Sequence, residues 1–235
     1  MKQILKAGIA ALALAAIAPT FAQDVEETEG TVGWTPIALG LATPVQLPWG
    51  LNRWDVYGLD LNLFYSDAPD FAGLDFGGFA TTVRRETKGI VFSALFNLGC
   101  EDVYGLRVTC GLNMCARTVK GVELGLISFR NSFYGFDAHL LGNAQRNQCG
   151  FQIGGLANVS AVESYGVSLA GISNLARTSY GLQLSAIFNM TDELHGAQIA
   201  LVNYAKECPS GFQIGLVNII MDNRIKVLPF VNGYF

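Results

Sequence analysis

A repeating alternation of apolar and polar positions runs along the chain from residue 58 to residue 214. A glycine recurs every 14 to 16 residues, and the three residues after it are, with one exception, apolar, polar and apolar. Strict alternation of this kind is typical of a β-strand that is buried on one face. The pattern therefore predicts an all-β array of about eleven repeats of 15–16 residues. The repeated glycines are Gly58, Gly73, Gly89, Gly105, Gly121, Gly135, Gly150, Gly166, Gly181, Gly196 and Gly211.

An asparagine follows most of these glycines at a fixed distance. It stands eight residues after the glycine in six repeats and seven residues after it in two. A small residue and a bulky aliphatic residue often come just before it, which breaks the alternation and predicts a bend or bulge. The variable polar segment after the asparagine predicts a turn. The glycine–asparagine pairs that define the repeat best are Gly89 and Asn97, Gly105 and Asn113, Gly150 and Asn158, Gly166 and Asn174, and Gly181 and Asn189.

Two architectures use such a repeat, and we favour the β-solenoid. In a solenoid each repeat forms one coil, and parallel stacking places equivalent residues on each other about 4.8 Å apart. This explains why every repeat keeps one phase, because asparagine then stacks on asparagine in a hydrogen-bonded ladder. The repeated glycine is expected at a corner that needs unusual backbone dihedrals.

The alternative is an antiparallel outer-membrane β-barrel of about 12 strands. Alternating strands of about 9–11 residues suit such a barrel, and the C-terminal Phe235 is typical of one. Antiparallel neighbours, however, meet different environments at the same offset, so a barrel should repeat as a hairpin of about twice this length. The period of 15–16 residues is therefore the argument for the solenoid.

The first 22 residues have the pattern of a secretory signal peptide. Lys2 and Lys6 precede an apolar run from Ala7 to Ala18, and small residues precede a cleavage site after Ala22. We therefore divide the chain into a signal peptide (1–22), an N-terminal segment or cap (23–55) and a single β-repeat domain (56–235). The apolar run is shorter than the roughly 20 residues that span a bilayer.

The charge balance excludes one class of partner. Without Lys2 and Lys6 the chain has 13 basic and 19 acidic residues, which gives a net charge of −6. A nucleic-acid-binding protein needs basic patches to neutralise phosphates, so we expect no nucleic-acid partner. The predicted export leaves association with the outer membrane or cell surface as one possibility, and periplasmic or secreted protein as another.

Candidate catalytic residues do not form a recognisable motif. His139 and His195 occupy different repeat positions and lack a metal-ligand spacing. Asp60, Asp75, Glu123 and Asp137 share one offset with Arg107. A stacked array turns this offset into a stripe, which we interpret as a solvated or lumen-facing row. We therefore predict no enzyme activity, no catalytic or metal-binding residues, and no cofactor.

Five cysteines are an odd number for an exported chain. Cys100 and Cys115 stand near the same offset in adjacent repeats, where coil spacing allows a disulfide, so we predict that they pair. Cys110 occupies a small or inward position and is expected to be a buried thiol. Cys149 and Cys208 are about four repeats apart, which is too far for a bond between them in a solenoid.

Tyrosine precedes the repeated glycine in five repeats, so a solenoid stacks these rings along one line. Such a row is a ligand platform, an interfacial belt or packing over the glycine, and we favour packing. The residues are Tyr57, Tyr104, Tyr134, Tyr165 and Tyr180.

The unit Gly211-Phe-Gln-Ile-Gly-Leu-Val-Asn218, together with Tyr57–Tyr65 and the tail Leu228-Pro229-Phe230, resembles a family of bacterial surface repeat-containing proteins best known from leptospires. The resemblance covers residues 36–235, although Ser128 and Phe129 stand where asparagine is expected. It implies export and a surface or outer-envelope location, and it implies no activity. We therefore expect an exported structural or binding scaffold of the cell envelope. The alternative is an outer-membrane β-barrel, such as a small channel; its partner or ligand is unknown.

Overall fold

A computed structural model describes residues 31–42, 45–99 and 101–234 of the chain. The predicted signal peptide and the first residues of the predicted cap therefore lie outside the described residues. The chain divides into two compact units, an N-terminal unit that ends at Tyr134 and a C-terminal unit that begins at Gly135. Within the described ranges, no helix has the length and apolar character needed to cross a membrane.

The fold is an all-β solenoid of about ten stacked coils. Its strands are β1 (Gly33–Ala42), β2 (Val45–Leu47), β3 (Trp54–Ala68), β4 (Phe71–Gly77), β5 (Ala80–Val83), β6 (Glu86–Ser93), β7 (Phe96–Gly99), β8 (Asp102–Thr109), β9 (Leu112–Gly154), β10 (Ala157–Ala170), β11 (Ser173–Ser185), β12 (Phe188–Ile199), β13 (Val202–Ile220) and β14 (Val227–Gly233). A short 3-10 turn, Leu51–Arg53, precedes β3.

Strand pairing in the N-terminal unit follows the sequence repeat. The glycine segments pair in parallel through β3, β4, β6, β8 and the start of β9, so that each repeated glycine lies opposite the next. The asparagine segments pair in a second parallel series through β5, β7 and β9, where Asn97 lies opposite Asn113. Each coil thus contributes one strand segment to each of two sheet faces.

The C-terminal unit has the same arrangement with longer strands. The end of β9 pairs in parallel with β10, and the series continues through β11, β12 and β13 with glycine opposite glycine and asparagine opposite asparagine. The predicted turn after the asparagine is wrong here. In β10, for example, the chain continues through this corner as one strand, with only a register shift between Ser160 and Glu163.

Parallel pairing at a distance of one repeat confirms the solenoid and shows that the barrel alternative is wrong, because a barrel of that kind needs antiparallel neighbours. Antiparallel pairing occurs at β2 on β1 and at β14 on β13. In β14 the chain contains Pro229, which has no backbone N–H to offer a further strand. Proline at this edge limits further strand addition.

The repeated glycines are required by the closeness of the coils. Gly181 has a φ of 124°, and a Cβ atom at this position would lie 2.1 Å from the carbonyl oxygen of Gly166 in the preceding coil. Gly196 meets Gly181 in the same way. The positive φ that the sequence predicts is therefore present, although the glycines lie within strands and not at a turn between them.

The alternation places polar side chains inside each unit and apolar side chains outside. Gln183 is 1 % exposed, whereas the next residue, Leu184, is 40 % exposed. Small apolar clusters lie inside as well, such as the one formed by Val103, Val119 and Phe133 in the N-terminal unit. Burial of so many polar groups is tolerable only where they are hydrogen-bonded. The stability of the fold therefore depends on the hydrogen bonds that these buried side chains make with one another.

Candidate functional site

The interior of the C-terminal unit is an amide ladder. Asn143, Asn158, Asn174, Asn189 and Asn203 each donate a hydrogen bond from Nδ2 to Oδ1 of the asparagine in the next coil, at 2.9–3.1 Å, and the series ends on Asn218. The same Nδ2 atoms also donate to backbone carbonyls, as Asn174 does to Leu184 at 2.9 Å. The ladder predicted from the sequence is therefore present.

A second series of amides fills the other side of this interior. Gln213 donates to Gln198 at 2.8 Å, and Gln198 donates to Gln183 at 2.9 Å. These side chains are almost completely shielded from solvent. Neutral amides that satisfy one another in this way support the fold and offer no nucleophile, acid or base to a substrate.

The predicted acidic stripe lies inside the coils, so that, of the two interpretations offered, a solvated row is wrong and an inward-facing row is what the structure has. Asp60, Asp75, Glu123 and Asp137 are all at most 1 % exposed. Their environments nevertheless differ, because the first three lie in the N-terminal unit and Asp137 lies in the C-terminal unit.

Asp60 and Asp75 form a stacked pair of buried carboxyl groups, opposite each other in adjacent coils. Asp60 accepts hydrogen bonds from Asn62 and Ser66. Burial raises the pKa of Asp60 to about 6. Burial, followed by the charge of Asp60, raises the pKa of Asp75 well above its ordinary value. This pair therefore releases its protons at higher pH than two exposed aspartates do.

Glu123 is the centre of a buried ion cluster in the N-terminal unit. It accepts a hydrogen bond from Arg107 at 2.5 Å and another from Arg130, which also donates to Ser128 at 2.6 Å. Burial lowers the pKa of Arg130 to about 10, so the guanidinium stays charged at neutral pH. Two cations thus share one carboxylate in the interior, and the loss of Glu123 would leave both of them without this shared negative charge.

The two histidines have different surroundings. His139 is buried beside Asp137, with 2.6 Å between Nδ1 and the carboxylate oxygen. His195 lies at the surface between Glu193, at 2.8 Å from Nε2, and Ser210, at 3.2 Å from Nδ1. Sequence reasoning missed this serine–histidine–glutamate arrangement because the three residues come from two repeats and meet only when the coils stack.

The tyrosine row forms columns of stacked rings. Tyr165 stacks on Tyr180 with ring centroids 4.5 Å apart, and Tyr180 stacks on His195 at 4.7 Å. In the N-terminal unit, Lys120 lies over the rings of Tyr104 and Tyr134 instead. Stacked rings cover each other's faces, so this column offers ring edges and not open faces. The favoured interpretation was packing over the glycine, whereas the contacts seen here are between rings of adjacent coils.

The cysteines differ from one prediction. Cys110 is exposed, not buried, because the bend before the asparagine segment turns it outward. Cys115 is a buried free thiol that donates to the carbonyl oxygen of Glu101, and burial raises its pKa to about 11. Cys100, the predicted disulfide partner of Cys115, lies outside the described residues, and the structure has Cys115 as a free thiol. Cys149 and Cys208 are free thiols.

The outer surface is the feature that sequence reasoning missed. Large apolar side chains on the outside of both units are more than a third exposed. Extended exposed apolar patches on a protein mark contact with another surface. The signal was available in the chain, because the turns that precede the asparagine segments contain no Asp, Glu, Lys or Arg between residues 138 and 217.

Groups of three or more acidic, histidine or cysteine side chains arranged for a metal ion are absent from the residues that the structure describes. Comparison of the chain with protein-family models, with curated proteins and with solved structures finds no match. The resemblance to the surface repeat-containing family therefore stays a prediction.

Proposed function

We propose that the protein is an exported structural or binding scaffold of the cell envelope, associated with the outer membrane or cell surface, and not an enzyme. The observation that carries this proposal is the division of roles between the two sides of each strand. Inner side chains such as Asn174 and Gln198 bind the neighbouring coils. Only the outer, largely apolar side is left to contact other molecules.

The position of the ionisable groups supports a non-catalytic role. A general acid or base must reach the substrate, whereas the side chains of Glu123, Asp137 and His139 are fully shielded from solvent. Their hydrogen bonds end on other protein side chains. These groups therefore shape the interior and do not face a substrate.

The predicted signal peptide and the family resemblance support the location. Both point to export, and the resemblance adds a surface or outer-envelope position. The arrangement of apolar residues agrees with such a position, because a chain that exposes this much apolar surface needs another surface to cover it.

Expression of the full chain in a Gram-negative host tests export and location together. We expect a mature chain that begins at Gln23 by mass spectrometry and that fractionates with the envelope until detergent is added. Leu14→Arg places a charge in the apolar run and should keep the chain unprocessed in the cytoplasm. Processed protein that is released without detergent would contradict envelope association, and wild-type chain that stays unprocessed would contradict export.

One observation favours a rival, because Ser210, His195 and Glu193 have the residue types of a hydrolase triad. Ester hydrolysis by the purified protein tests it, with p-nitrophenyl acetate as substrate. We expect no rate above that of buffer. A rate that Ser210→Ala abolishes and the control Ser173→Ala retains would establish an enzyme and remove the scaffold proposal.

A further inference from the structure

The two connections within each coil of the C-terminal unit differ in chemistry. The connection from the glycine segment to the asparagine segment, here called the apolar edge, presents Leu140, Leu156, Ile172, Ile187, Leu201 and Leu216, each at least 44 % exposed. The connection back to the next glycine, here called the charged edge, contains Arg146, Glu163, Arg177, Asp192, Lys206 and Glu207. The coil therefore has one uncharged edge and one charged edge.

The backbone at the apolar edge makes its hydrogen bonds within the protein. Leu156 N donates to Leu141 O at 2.8 Å, Ile172 N to Leu156 O at 2.8 Å, and Val202 N to Ile187 O at 2.9 Å. An ordinary surface turn leaves such groups to water. An unpaired backbone group in hydrocarbon costs several kcal/mol, and these bonds between coils remove that cost along the edge.

Aromatic rings lie at the boundary between the two edges. Tyr165, Tyr180 and His195 stack where the charged edge meets the glycine segment, and Tyr165 is 41 % exposed. Tyrosine is enriched where a membrane protein passes from hydrocarbon to headgroups, because its ring is apolar and its hydroxyl is polar. The order across a coil is thus charged, aromatic and apolar.

The width of the coil matches one leaflet. Ile187 stands seven residues after Tyr180, which is about 23 Å at roughly 3.3 Å per residue. A bilayer with its headgroup regions is about 40–45 Å thick. A coil that enters by its apolar edge therefore reaches the middle of the bilayer when the aromatic row is at the headgroups.

We propose that the apolar edge inserts into one leaflet of a lipid bilayer, so that the solenoid is a monotopic membrane protein with its charged edge in water. The charge pattern is complementary to that of a leaflet, with uncharged hydrocarbon beside charged headgroups. In the N-terminal unit, Phe64, Phe79 and Leu95 occupy the same connection and are at least 40 % exposed. The proposal rests on the scaffold function and names the surface that the scaffold binds.

Flotation of the mature chain (residues 23–235) with phosphatidylcholine vesicles tests insertion. Phosphatidylcholine has no net charge, so electrostatic adsorption contributes little. We expect the protein to float with the vesicles at 0.15 M salt as well as at about 1 M salt. Binding that requires anionic lipid and is lost in high salt would overturn the proposal, and so would a lipid-free oligomer that does not float.

A matched pair of triple variants locates the contact. Ile172→Lys, Ile187→Glu and Leu201→Lys place alternating charges on the apolar edge, which avoids repulsion between neighbouring coils. Arg177→Glu, Asp192→Lys and Lys206→Glu replace the same number of residues on the charged edge, and each replacement reverses a charge. We expect the first variant to lose at least tenfold of its vesicle binding and the second to keep it. Equal binding by two folded variants would overturn the proposal.

Quenching of an introduced tryptophan keeps the test decisive if the first triple variant does not fold. Leu156→Trp lies on the apolar edge and Arg146→Trp on the charged edge. Vesicles with bromine on the acyl chains should quench the fluorescence of the introduced tryptophan in the first variant and not in the second. Equal quenching would contradict edge insertion. A chain that is exported and fractionates with the envelope, yet neither floats nor is quenched, refutes insertion and leaves the scaffold function standing.

Discussion

The interiors of the two units follow the same repeat but hold their coils together differently. The C-terminal unit is filled mainly by neutral amides, with the ladder from Asn143 to Asn218 as its longest series. The N-terminal unit contains the Asp60–Asp75 pair and the cluster around Glu123. Neutral amides tolerate a range of pH, whereas buried charges depend on their partners and on protons. The stability of the N-terminal unit should therefore depend on pH and on its buried charges, and that of the C-terminal unit should depend on them much less.

Removal of the central carboxylate should give the largest effect. Glu123→Gln leaves Arg107 and Arg130 buried without their shared negative charge. Removal of one partner of a buried ion pair lowers the free energy of unfolding by about 3–5 kcal/mol. This loss of stability is measured by urea unfolding monitored through tryptophan fluorescence. The signal reports on the N-terminal unit, because that unit contains Trp34, Trp49 and Trp54. Glu86→Gln, at a partly exposed site of the same unit, is the control and should change stability by less than about 1 kcal/mol. Equal losses of stability in the two variants would refute the cluster.

The Asp60–Asp75 pair should make the N-terminal unit less stable as pH rises. Their pKa values are raised in the folded chain, so the folded state holds protons that the unfolded chain has released. Stability should therefore fall between about pH 4 and pH 6 by up to roughly 1.4 kcal/mol per pH unit for each proton held. Asp75, whose pKa is also raised by burial, contributes a fall in the same direction.

Asp75→Asn separates this effect from general acid sensitivity. The amide has nearly the same shape and no charge, so the variant should be more stable than the wild type at pH 8 and should lose much of the pH dependence. Tryptophan fluorescence during urea unfolding at pH 5 and pH 8 measures both. A variant that is less stable at pH 8 with unchanged pH dependence would show that burial does not raise the pKa of Asp75.

A break in the amide ladder should weaken the C-terminal unit. Asn174→Ala removes the bonds to Asn158 and Asn189 and leaves neighbouring amide groups unpaired. The expected loss is about 1–3 kcal/mol, nearly independent of pH. Hydrogen exchange by mass spectrometry should show faster exchange in peptides of β10, β11 and β12. Ser173→Ala, next to the ladder, is the control, and equal acceleration there would contradict the ladder's role.

Thiol reactivity should give the smallest difference between the units, because each has one exposed and one buried cysteine among those the structure describes. Cys110 and Cys149 are exposed, whereas Cys115 and Cys208 are buried. Burial raises the pKa of Cys115 to about 11 and also raises that of Cys208. We expect an aromatic disulfide reagent at pH 8 to modify Cys110 and Cys149 at least tenfold faster. Rapid reaction of Cys115 would place it at the surface.

The repeat predicted the fold well because the coil and the sequence period are the same length. Equivalent residues such as Gly166 and Gly181 then lie opposite each other, and a shared phase is the direct consequence. The amide ladder followed from the same argument. The strand through the corner after Ser160 was not predicted, because the segment that follows the asparagine varies in sequence from repeat to repeat, whereas the parallel neighbours keep it extended.

The alternation could not tell which side of the strand faces inward. A period of two separates Gln183 from Leu184 but is the same for either orientation. The orientation depends on whether the amides pair between coils, which needs several repeats in contact at once. For the same reason, the apolar edge was not recognised as a surface, and the group of Ser210, His195 and Glu193 was not recognised as a cluster.

The orientation of Gln183 and Leu184 is the central claim of this account, and a pair of cysteine variants tests it most directly. Gln183→Cys and Leu184→Cys are made in a chain whose five native cysteines are serine, and reaction with N-ethylmaleimide in mild detergent is followed by mass spectrometry. This small, uncharged reagent also reaches surfaces that detergent covers. We predict rapid modification of Leu184→Cys and protection of Gln183→Cys until the protein unfolds. Rapid modification of Gln183→Cys with protection of Leu184→Cys would contradict the account.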